Sequence, residues 1–70
     1  MISEHLFSCQ HRDIITAVEY SVQISVVDKR YAHLYVKNSQ GEIRFSALIS
    51  KVQLRELSSL LNAAMEYLDS

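Results

Sequence analysis

The stretch that decides the fold runs from Val18 to Leu48 and reads VEYSVQISVV-DKR-YAHLYVK-NSQG-EIRFSAL. Apolar and polar residues alternate with period two in three successive runs. Val18, Tyr20, Val22, Ile24 and Val26 take every second place in the first, Ala32, Leu34 and Val36 in the second, and Ile43, Phe45 and Ala47 in the third. Side chains of a strand point to opposite faces in turn, so this pattern predicts three half-buried strands. The breaks fall at turn residues. Asp28-Lys29-Arg30 closes one hairpin and pairs Val26 with Ala32, Ile24 with Leu34 and Val22 with Val36. Asn38-Ser39-Gln40-Gly41 closes the next, with the single glycine of the chain where a positive φ is wanted. It pairs Lys37 with Glu42, Val36 with Ile43, Leu34 with Phe45 and Ala32 with Ala47. Every apolar residue then meets an apolar one, and a slip of one residue would scramble both sets.

Downstream of the meander the period changes. Ser50 and Gln53 have the capping-box spacing, in which each side chain satisfies a backbone N–H of the first turn. Leu54, Leu57, Leu60, Leu61, Ala64, Met65 and Leu68 then recur at helical spacing, with Arg55, Ser58, Ser59, Asn62, Glu66 and Asp69 on the other side. The prediction is an α+β domain spanning residues 1–70: a small antiparallel meander of three to four strands packed on one C-terminal amphipathic helix. Residues 1–17 are less regular. Leu6 to Gln10 read either as a further strand that turns back through His11-Arg12-Asp13 into Ile14-Ile15 or, since the apolar rows match poorly there, as a segment with a bulge or a short helix.

Composition bounds the function. Seventy residues make one domain, and at 49% hydrophobic and 21% charged the chain is too apolar and too evenly charged to be disordered. No run approaches the ~20 apolar residues of a membrane span. The start, Met1-Ile2-Ser3-Glu4-His5, has neither the basic end nor the apolar run of a signal peptide. The one cysteine excludes an intrachain disulfide and a cysteine-based zinc site, so the expected compartment is the cytoplasm. A core of this size supplies only ~3–5 kcal/mol, which makes association, most simply as a homodimer, an expected source of further stability.

Residues with reactive side chains form no recognised constellation. Cys9 and His11 would share a strand face, but no glycine-rich turn stands near to supply oxyanion donors, and the plain reading of Cys9 is a small buried residue. Cys9, His11, Asp13 and His5 match no zinc spacing. Asp13, Glu19 and Asp28 are scattered, and one glycine cannot build a phosphate loop. No catalytic residue, metal or cofactor is expected.

Charge is more informative. Residues 1–28 balance to -3, residues 29–55 to +5 and residues 56–70 to -3. The topology should gather Lys29, Arg30, Lys51 and Arg55 at one end, where the helix N-terminus adds partial positive charge. Cations there oppose the helix dipole, an arrangement that suits an anionic partner or is merely a solvated surface. The outward sheet face should carry the rows Gln23-Tyr35-Arg44, Ser25-His33-Ser46, Ser21-Lys37-Glu42 and Val27-Tyr31-Leu48. Tyr, His and Arg together suit a protein interface or a base-stacking platform; the plain alternative is a wet face of strand-favouring residues.

The expectation is a non-enzymatic protein-binding module that docks through the Tyr-rich sheet face that also carries His33, with Tyr31 and Tyr35 as anchors and Arg44, Lys29, Arg30, Lys51 and Arg55 steering the approach. Its size and class are those of many phage- and mobile-element-type inhibitors and regulators. The alternative is a single-stranded nucleic-acid-binding protein using the same face. On the meander-plus-helix layout alone, with no residue motif, the chain resembles the dimeric transcriptional-coactivator-type single-stranded-DNA-binding proteins. That resemblance implies a homodimer and a nucleic-acid partner; the net charge of -1 stands against it and the +5 balance of residues 29–55 stands for it.

Overall fold

The alternating pattern of residues 18–48 becomes an antiparallel sheet in the computed structural model, which describes residues 4–27 and 29–68. Strands β1 (Glu4–Arg12), β2 (Glu19–Val27), β3 (Tyr31–Asn38) and β4 (Ile43–Ile49) are neighbours in chain order, and helix α1 (Lys51–Glu66) follows. Met1 to Ser3, Asp28 of the first predicted hairpin and the acidic Asp69 near the helix end lie outside the described residues, as does the side chain of Val27. No helix among the described residues is long and apolar enough to cross a membrane.

The β2–β3 register is the one the alternation predicts: Val22 opposite Val36, Ile24 opposite Leu34, Val26 opposite Ala32. The tight connection places Lys29 in the left-handed region at φ 58°. The β3–β4 register differs. Val36 pairs with Phe45, Leu34 with Ala47 and Ala32 with Ile49, two residues along from the expected partners. Asn38 is the cause. Its Oδ1 accepts the backbone N–H groups of Gln40 (3.0 Å) and Glu42 (2.9 Å). Its own N–H donates to the Glu42 carbonyl at 2.9 Å, so the turn closes on Asn38 and Glu42, with Gly41 at φ +84° as expected. The ladder then shifts between Val36 and Lys37. Lys37 faces Ile43, and Arg44 is the extra residue of a bulge. A shift of two keeps Phe45, Ala47 and Ile49 on their face, so their rows remain apolar, whereas the bulge sets Ile43 beside Lys37.

The irregular N-terminal segment completes the sheet as β1. The turn lies later than His11-Arg12-Asp13. Arg12 pairs with Glu19, and residues 13–18 form the loop. Asp13 organises it: the carboxylate accepts the N–H groups of Ile15 (2.8 Å) and Thr16 (2.9 Å), while the backbone N–H of Ala17 donates to the Asp13 carbonyl at 2.9 Å. Ala17 sits at φ 60°, and Ile14 and Ile15 form a wholly exposed tip.

Helix α1 begins without a linker. Ser50 is its N-cap: Ser50 Oγ accepts the Gln53 N–H at 3.3 Å, and Gln53 Oε1 accepts the Ser50 N–H at 2.9 Å. The first turn has no acidic residue and the last no basic one, the reverse of what the dipole favours.

The expected cover of the sheet by this helix is confined to its start. Leu54 is half-buried, but no residue of α1 is buried. The core of the described chain is Ala32, Ile49 and Ser25, all near the strand ends where the helix departs. The long dimension, 43 Å, exceeds the ~30 Å of a nine-residue strand. The radius of gyration is 14.0 Å, against about 11 Å for a compact chain of this length. The helix thus extends beyond the sheet and leaves one sheet face open.

Candidate functional site

Alternation along β3, an inner strand, sets Tyr31, His33, Tyr35 and Lys37 on one side of the sheet and Ala32, Leu34 and Val36 on the other. The four form a continuous line. The His33 and Tyr35 rings lie 5.0 Å apart, tilted by 59°, and Lys37 Nζ stands 5.4 Å from the Tyr35 ring centroid. That distance is within cation–π range. Tyr35 is half-buried between these neighbours, while Tyr31 and His33 are exposed. Ser25 and Leu48 flank His33 on the adjacent strands, with Leu6 beyond Ser25. Ser25 is buried and donates to Glu4 Oε1 at 3.2 Å.

Arg44 does not join the row predicted for it. Ser46 stands opposite Tyr35, and the bulge sets Arg44 apart near Lys37 and Ile43. The charge end forms largely as expected. Lys29, Arg30 and Lys51 surround a shallow hollow of about 170 Å³ together with Tyr31, and Ala32 and Leu54 supply apolar lining. Arg55 is exposed, one turn further along the helix, outside the lining. The short β2–β3 loop and the direct passage from Ile49 to the helix bring these cations together.

At the opposite end, His11, Arg12, Glu19 and Tyr20 line a wider hollow of about 390 Å³. Arg12 Nη2 donates to Glu19 Oε1 at 2.6 Å, and the His11 and Tyr20 rings are 5.7 Å apart. Sequence reasoning missed this hollow because it depends on β1 pairing through Arg12 and Glu19. Their opposite charges, either side of a loop, were the available signal.

Cys9 is exposed, not buried, because β1 is an edge strand over an uncovered face. Its Sγ lies 3.1 Å from His11 Nε2. A thiol beside an imidazole is the start of a nucleophile, but the contact stands open to solvent. No cluster of three or more metal-ligating side chains occurs among the described residues. The backbone N–H groups of Thr16 and Ile15 hold the Asp13 carboxyl below the usual carboxylate range. Those bonds serve the loop rather than a reaction.

Comparison of the chain with protein-family models, with curated proteins and with solved structures gives no match.

Proposed function

We propose that the chain is a non-enzymatic protein-binding module that docks an acidic protein segment on the Tyr31–Lys37 side of its sheet and the adjoining basic hollow. One observation carries the reading: Tyr31, at the end of the β3 line, also borders the hollow formed by Lys29, Arg30 and Lys51. A docked segment would pass round the strand end to the hollow, whose Ala32 floor lies on the other side of the sheet. Tyrosine supplies a large contact area at little entropic cost, and it is enriched at interface centres. Cations around an apolar floor steer an acidic segment and reject a basic one. Lys29 is held in a left-handed backbone conformation at this place, a strained geometry of the kind that collects at binding sites.

Single-stranded nucleic acid on the same surface is less favoured. A stacking platform needs ring faces open to a base. The Tyr35 ring already has His33 and Lys37 against it.

Affinity capture with the immobilised chain tests the reading, using Tyr31→Ala and a Lys29→Glu/Arg30→Glu double variant beside the wild type. The expected result is a partner retained by the wild type and weakened about tenfold or more by either change. Equal recovery by all three would overturn the assignment. Fluorescence polarisation with a labelled oligonucleotide is the companion measurement. Salt-sensitive binding that weakens on Lys29→Ala or Arg44→Ala would move the site to nucleic acid.

A further inference from the structure

We propose that a second copy of this chain covers the open sheet face, each helix roofing the sheet of its partner. The inference rests on the reading of the chain as a module that works by association, and it names the occupant of the surface that reading leaves unassigned. Two apolar surfaces stand uncovered. One is the sheet face, where Phe7, opposite Ile24, and Phe45, opposite Val36, are 61% and 54% exposed. The other is the helix stripe, where Leu61 and Met65 are 63% and 60% exposed. A sheet face is ordinarily buried by helices, and an amphipathic helix by a sheet or another helix. The chain carries one of each, unmatched within itself.

Their dimensions agree. Sixteen residues of helix run about 24 Å. Strands of seven to nine residues run about 23–30 Å. Beyond Leu54 the helix does not lie on its own sheet, because its departure angle is fixed. Ser50, extended at φ -89° and ψ 171°, is the only residue between β4 and α1, and both capping-box hydrogen bonds clamp it. Nothing in that junction provides the slack to fold the helix back.

Area supports a second copy. The chain exposes 6310 Å². A compact monomer of its mass exposes about 4,450 Å², leaving an excess of about 1,900 Å² per chain. Burying that excess on two chains gives about 3,700 Å², inside the range of obligate homodimers. A two-fold axis uses both apolar surfaces twice and leaves neither unmatched, with the Tyr31–Lys37 side still open.

Sedimentation equilibrium on the full chain at micromolar concentration should give twice the chain mass. Leu61→Glu on the helix and Phe45→Ser on the sheet should each weaken the dimer about 30-fold or more, while Ser59→Glu on the opposite side of the helix should not. The wild type supplies a readout that no misfolded variant can confuse. In a sample mixing isotope-labelled and unlabelled chains, filtered NOEs should connect Leu57 and Leu61 methyls of one chain to Phe7 and Phe45 rings of the other. A monomer throughout the concentration range overturns the proposal. So does a dimer whose helix–sheet NOEs all lie within one chain, or one joined through the β1 edges. A monomer that still captures a partner through Tyr31 would leave the docking assignment standing. A helix-exchanged dimer indifferent to Tyr31→Ala would remove that assignment and keep this one.

Discussion

Asp13 does more local work than any other charged residue described here. Two backbone N–H groups point at its carboxylate, and the loop between β1 and β2 is built around them. Because these bonds favour the ionised form, its folded pKa lies below the unfolded one. The stabilisation is therefore present above the unfolded carboxylate pKa and is lost as pH falls through the lower folded value. Amide exchange at Ile15 and Thr16 should accelerate in that acidic window. Asp13→Ala should give the fast exchange already at neutral pH, whereas Asp13→Asn, which keeps an acceptor oxygen, should lose protection less. Ala17 closes the same loop at φ 60°, where a Cβ is unfavourable. Ala17→Gly should stabilise the protein by about 0.5–1 kcal/mol in chemical denaturation. None of this was legible beforehand. The apolar residues of β1 fall on both faces, Leu6 on one and Phe7 on the other, so period two gave no register and misplaced the turn.

Among the elements, α1 was the most legible and its junction is the most testable. Ser50→Ala removes one capping bond and frees the junction, and should cost about 1 kcal/mol of stability with a loss of helical circular dichroism. The strands show where pattern reading ends. The β2–β3 register was fixed because its short loop allowed one alignment that matched apolar rows. The β3–β4 register was not, because partners two residues apart satisfy the same alternation. An Asn38 side chain that caps the turn, and a bulge at Arg44, decided between them. The consequence reached the candidate site. Lys29, Arg30 and Lys51 followed from topology alone and came together, whereas Arg44 depended on the register and did not join Tyr35.

For the whole molecule, amphipathicity told which side of each element is apolar but not which chain supplies the cover. Hydrophobic periodicity describes a surface that needs burial; a helix on its own sheet and a helix on a neighbour's give the same pattern. If the helix-exchanged dimer is the folded unit, the melting temperature must rise with protein concentration, since dissociation and unfolding are linked by mass action. Scanning calorimetry over a hundredfold range of concentration should show that rise, and a melting point independent of concentration would contradict it.

A chain whose described interior amounts to Ala32, Ile49 and Ser25 also has little to withhold from the quality-control machinery of a cell. If the proposed dimer forms, unpaired copies would present the leucines of the helix to chaperones and proteases. The unpaired chain would then be cleared faster than the dimer.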